Sequence, residues 1–162
     1  MDKLTNDFTK ADCVADYFLA AMIGQSGDYM SNLKLQKLCY FAQGWHLAYL
    51  DKPLFDDEIQ AWAHGPVVVS LFHRFKKYKW RPIDLDDRKA NPYDHLEKDS
   101  LNLLKAIWGH FGHWSAKQLE MLSHEQKPWI DAYGDRSWGT ACNEVITHDV
   151  MKAYFISAIP ND

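Results

Sequence analysis

NLKLQKLCYFAQGWHLAYL, residues 32–50, decides the fold. Leu35, Leu38, Cys39, Ala42, Trp45, His46 and Tyr49 fall at i, i+3, i+4, i+7, i+10, i+11 and i+14, a continuous apolar stripe at helical period. Asn32 has the chemistry of an N-cap for this helix. Gly44 interrupts it, and a glycine costs about 1 kcal/mol in a helix interior. Its presence predicts a close backbone approach by a neighbouring element. Pro53 ends the region.

Thr9 and Asp12 have capping-box spacing, with Asp in place of the usual Glu or Gln. The following ADCVADYFLAAMIG puts Val14, Phe18 and Ala21 or Met22 on one face, predicting a helix that ends near Gly24. Downstream, DKPLFDDE reads as turns. Residues 58–63 alternate, Ile59 and Ala61 against Gln60 and Trp62, as in one short strand or extended segment. His64-Gly65-Pro66 is a break. Pro66 suits the first turn of a helix carrying Val68, Leu71, Phe72 and Phe75.

Residues 81–92 are polar and read as an exposed connection. Leu96, Leu103 or Leu104, Ile107, Trp108 and Phe111 mark a fourth helix, ending around Gly109–Gly112. Ser115 and Gln118 form a second capping box, ahead of Leu119 and Leu122. Pro128 and Trp129 stop or redirect that helix, and residues 131–140 read as loop. Thr147 caps a last helix with Val150, Met151, Tyr154, Phe155 and Ala158. The expectation is a mainly α protein: a single compact helical domain over residues 1–162, with at least five helices and room for one short strand or hairpin.

The net charge of −4 argues against whole-surface attraction to nucleic acid. Three cysteines, Cys13, Cys39 and Cys142, are an odd count without Cys-x-x-Cys spacing, which supports neither a disulfide framework nor a zinc ribbon. MDKLTNDF has no apolar run of signal-peptide kind, and the apolar stretch from Tyr17 to Ile23 is far shorter than a membrane helix needs. These features lead us to expect a soluble, cytoplasmic protein. Of the seven tryptophans, about two in three are expected in the core.

Catalytic signatures fail. No Gly-rich phosphate loop or Gly-x-Ser-x-Gly elbow occurs. His124-Glu125 begins a zincin-like pattern, but Pro128 stands where the second histidine belongs. His110 and His113 share His-x-x-His spacing without a third ligand nearby. Cys39, on the apolar stripe, reads as a small buried hydrophobe. No catalytic set, metal or cofactor is therefore expected. HRFKKYKWR, residues 73–81, interleaves Arg74, Lys76, Lys77, Lys79 and Arg81 with Phe75, Tyr78 and Trp80. Such a stretch can meet phosphates, although cations at a helix end also complement its dipole. Asp84, Asp86 and Asp87 follow at once, which favours the structural role or an acidic protein partner over nucleic acid.

KLQKLCYFAQGWHLAYLDKPLF (34–55), IQAWAHGPVVVSLFHRFKKY (59–78) and WSAKQLEMLSHEQKPW (114–129) together resemble the Panacea domain of SocA-like antitoxins. The last block has the family's capped helix, Leu-Ser-His-Glu and Pro-Trp in order, and the resemblance extends over about residues 10–158. One departure is Val69, where members commonly have proline after Gly-Pro-Val-Val. The resemblance implies a prophage-associated antitoxin that neutralises a toxin by direct contact, the toxin being encoded in the same operon. An alternative is an adaptor delivering a bound protein to a second partner. A small hydrolase or nuclease using His64, His124 or Glu125 is a third reading.

For a contact surface, the sequence offers Trp62, His64, Gly65, Pro66 and Val67, with Arg74, Lys76, Lys77 and Lys79 steering an acidic toxin toward them. Trp62 and His64 serve equally well to pack the turn onto the long helix. His124 and Glu125 are expected to be structural, bonded to backbone groups of the loop that follows.

Overall fold

A computed structural model describes residues 7–25 and 27–161. In chain order it contains α1 (Lys10–Met22), α2 (Asn32–Leu50), β1 (Ile59–Trp62), β2 (Gly65–Val68) and α3 (Val69–Phe75). A 3-10 turn (Lys76–Tyr78) leads to α4 (Pro92–His95), α5 (Lys98–Phe111), α6 (Ala116–His124), α7 (Lys127–Tyr133) and α8 (His148–Ser157). The fold is mainly helical, with one two-stranded antiparallel sheet.

The core is built around α2, against which α1, α5, α6, α8 and β2 all pack. This explains why α2 is buried well beyond the expected stripe. Leu35, Leu38, Cys39, Ala42 and His46 are inside, but so are Tyr40, Phe41 and Leu47 from its other faces. Trp45 is only half-buried and Tyr49 is exposed. A helix surrounded on all sides loses its amphipathic signature.

Polar groups on α2 are consumed in fixing its neighbours. Gln43 donates to Phe55 O (2.6 Å) and accepts from Leu54 N (2.7 Å), clamping the loop after the helix. His46 Nδ1 lies 2.6 Å from Lys52 O and Nε2 lies 2.8 Å from Ser100 Oγ. A carbonyl can only accept, so Nδ1 carries the proton and Nε2 accepts from the serine.

The caps behave largely as the sequence suggests. Thr9 and Asp12 close a reciprocal capping box, Ser115 and Gln118 close another, and Thr147 accepts from Val150 N. At α2 the cap is Ser31, not Asn32, its Oγ accepting from Lys34 N at 3.1 Å. Asn32 is the first helical residue; its amide instead reaches Phe72 O and accepts from Gln36. Gly44 has the neighbour that the sequence implies: a Cβ there would land on the ring of Phe155 in α8.

Three expectations need correcting. Pro66 does not open a helix; it sits in β2 opposite Ala61. Ile59 O and Ala61 N are turned toward residues 144–146, accepting from Ile146 N and donating to Glu144 O. Ala61–Pro66 is thus a non-hydrogen-bonded pair, where a missing N–H costs the ladder nothing. Pro128 does not simply stop α6: it occupies the first turn of α7, so residues 131–133 are helical rather than loop. Of the tryptophans only Trp129 is buried, while Trp80 and Trp138 are exposed and Trp45, Trp62, Trp108 and Trp114 are half-buried.

Candidate functional site: a cleft beside the β-hairpin

Alternation in residues 59–62 buries Ile59 and Ala61 and leaves Gln60 and Trp62 half-exposed. Ala63 and His64 then form a two-residue hairpin loop, closed by the Trp62–Gly65 pair. Gly65 has φ +106, a conformation that favours glycine, and a Cβ there would also come within 2.6 Å of Lys37 Cε and 2.8 Å of Ser123 Oγ.

The hairpin is held from the α6–α7 corner. Trp129 Nε1 donates to Trp62 O (2.8 Å), and His124 Nε2 donates to Ala63 O (3.1 Å). His124 is therefore structural, but it ties down a turn 61 residues earlier rather than the loop that follows. Glu125 is exposed and only caps α6 through its backbone. Burial holds the His124 imidazole below its ordinary pKa, with Glu120 opposing the shift.

A polar cluster lies under the turn. His64 Nδ1 is 3.2 Å from Glu120 Oε1, and the carboxylate is almost completely buried. Lys37 is fully buried and donates to Pro66 O at 3.1 Å. Burial pushes the Lys37 ammonium down to about 7, while the Glu120 charge opposes it. Ser123 is turned inward and bonded to Glu120 O.

Beside the hairpin opens a cleft of about 1150 Å³. Its walls are Trp62 and Val67 of the hairpin, Phe72 of α3, Trp80 after the 3-10 turn, and the segment from Gly139 to Asn143. Lys76 and Lys79 stand on its rim and Lys37 lies in its floor. The Trp62 ring meets Phe72 edge-on at 4.7 Å and its Nε1 donates to Gln60, so this wall is fixed.

The sequence-selected residues separate in the structure. Trp62, His64, Val67, Lys76 and Lys79 come together around the cleft. Gly65 and Pro66 are buried and set the shape of the turn rather than offering a surface. Arg74 is not a surface cation: its side chain is 7% exposed, bonding Asp12 Oδ1 (3.0 Å), Asp16 Oδ1 (2.6 Å) and Asp87 O (2.9 Å). Lys77 pairs with Asp87. Sequence reading missed Lys37 and Glu120, because a charged residue on a helix normally signals solvent. It also passed over Phe72 as a wall and Trp80 as a rim residue.

Among the described residues, no group of three or more His, Cys, Asp or Glu side chains could hold a metal ion, and no helix is long and apolar enough to cross a membrane. All three cysteines are free and buried.

The family model for the SocA-like antitoxin, Panacea domain, matches residues 35–130, more than half of the chain. The chain belongs to this family. No curated protein and no solved structure matches it. The matched block runs from α2 into α7 and includes most of the cleft wall; the 139–143 segment and the flanking α1 and α8 lie outside it. Val69, where the family commonly has proline, is the first residue of α3, and its N–H donates to Glu58 O at 3.1 Å. This bond uses a donor that proline would lack.

Proposed function

We propose that this chain is an antitoxin that neutralises a protein toxin by direct contact, acting in the cytoplasm without catalysis or cofactor, and that the cleft beside the hairpin is part of the contact face. One observation carries the reading. In a member of the SocA-like family, half-exposed and exposed aromatics, Trp62, Phe72 and Trp80, line an open cleft rimmed by lysines. Aromatic anchors in a preformed concavity are what a tight protein contact requires. A standard interface of about 800 Å² per partner is roughly a tenth of a surface this size.

The toxin is expected from the same operon. The test is co-expression with the neighbouring reading frame, followed by calorimetric titration of the purified pair. Rescue of growth, and a complex weakened by about 2 kcal/mol or more in a Trp62→Ala protein that remains folded at the titration temperature, is the expected result. No complex with the neighbouring product would refute the reading.

A second reading, an adaptor that passes the bound protein on, is favoured by a separate cleft of about 720 Å³ lined by Tyr17, Arg88, Lys89 and Tyr93. An adaptor needs two surfaces. Substitutions at Arg88 and Lys89 that spare toxin binding but abolish its removal would support it.

A further inference from the structure

The basic stretch carries fewer free charges than its sequence suggests. Arg74 is spent on Asp12 and Asp16, and Lys77 on Asp87. Lys76, Lys79 and Arg81 remain; Arg81 folds back onto the Tyr78 and Lys77 carbonyls outside the cleft lining, whereas Lys76 and Lys79 both line the cleft, with Lys37 behind them. Among the described residues the one carboxylate in the lining, Glu120, is nearly buried and held by His64. The cleft is thus locally positive in a chain whose net charge is −4.

Lys79 has φ 55 and ψ −120, a strained backbone for a residue with a Cβ. The bend presents Trp80, which is 79% exposed. At about 1150 Å³ the cleft exceeds the usual range of roughly 300–1,000 Å³ for small ligands.

We propose that the cleft receives an acidic peptide segment of the partner protein. An aromatic or aliphatic side chain of that segment sits against the Trp62–Phe72 pair and Trp80, and neighbouring carboxylates face Lys76 and Lys79. The source of the segment, a toxin, rests on the antitoxin reading; the chemistry of the cleft does not. Two free rim cations are too few to track a nucleic acid backbone, which needs a continuous positive path.

The test uses the full chain and three fluorescein-labelled probes. One is a short peptide alternating Glu with Leu and Phe, one is its twin with Lys for every Glu, and one is a single-stranded oligonucleotide. Anisotropy should show saturable binding of the acidic peptide, at least about tenfold tighter than its basic twin, and weakening with salt. Lys76→Glu with Lys79→Glu, and separately Trp80→Ala, should each lose about tenfold while the thermal melt stays unchanged. Equal binding of the twins, preference for the oligonucleotide, absence of saturable binding, or indifference to these substitutions would overturn the proposal. A neighbouring toxin that binds the Lys76→Glu, Lys79→Glu protein at full affinity would overturn it while leaving the antitoxin reading intact. Binding of the acidic peptide without any complex from the neighbouring gene product would do the reverse.

Discussion

The ring of Phe155 fills the space that a side chain at position 44 would need, so α2 and α8 touch backbone to ring at Gly44. Trp45 and Tyr40 pack against the same ring, with centroids 5.0 and 5.7 Å away. The ring cannot retreat without displacing them.

Gly44→Ala should therefore destabilise the protein by about 1–3 kcal/mol, despite alanine's better helix propensity. Urea unfolding checks this. Adding Phe155→Leu should recover part of the loss, giving a coupling term in a double-mutant cycle. If Gly44→Ala is neutral, the close approach is not real.

Arg74→Ala should cost about 3–5 kcal/mol, because it strands the buried Asp12 and Asp16 carboxylates and frees α1 from α3. A surface cation would cost a few tenths. Thermal melts of Arg74→Ala beside Lys76→Ala separate the two cases, since Lys76 is exposed and should be near-silent.

Lys37 sets a pH dependence. Its ammonium falls from an unfolded value near 10.5 to about 7 on folding. Above pH 7 the unfolded chain binds the extra proton, so stability from this group rises with pH from about 7 toward 10.5, and the full burial penalty is felt below 7. Glu120 and His124 of α6 and His64 of the turn face the same cluster; burial lowers the His124 pKa, so its change falls in a more acidic range than that of Lys37. Lys37→Met should flatten the rise between pH 7 and about 8.5, measured by denaturant melts against the parent. An identical slope in both proteins would show that Lys37 stays charged.

Trp129→Phe keeps an aromatic ring but deletes the donor to Trp62 O and leaves a small cavity. The loss should be about 1–3 kcal/mol, one buried hydrogen bond plus the lost packing. Amide exchange should speed up in residues 59–68 before the rest of the core. Uniform protection across both variants would mean that the indole does not hold the hairpin.

Lys79→Gly should relieve the strained backbone and stabilise the fold by about 1 kcal/mol, provided its loss of side chain is otherwise silent. Weaker partner binding than in Lys79→Ala, which also lacks the ammonium but keeps the strained backbone, would mark the strain as maintained for function.

Elements with local signals were legible in the sequence. Thr9, Ser115 and Thr147 announce their helices because a cap is a property of four adjacent residues. The stripe in α2 located the central helix, although Phe41 and Leu47 on its other sides became core only because neighbours surround it. Helix α7 was hidden because seven residues opened by a proline read as a terminator. Charge was visible but its tethering was not: Arg74 finds its carboxylates 58 and 62 residues away. Composition near a turn singles out Trp62, Lys76 and Lys79, which the structure sets around one cleft, whereas Lys37 and Glu120 have no local sign of their burial.

Phe18 and Leu19 of α1, and Met151 and Phe155 of α8, belong to the same core as α2 yet lie outside the matched span of 35–130. A fragment trimmed to that span would expose the sockets these side chains fill and would leave Arg74 without Asp12 or Asp16. It should behave as a partly collapsed, aggregation-prone chain rather than a small domain. The stretch that makes the family recognisable is shorter than the stretch that shares one core.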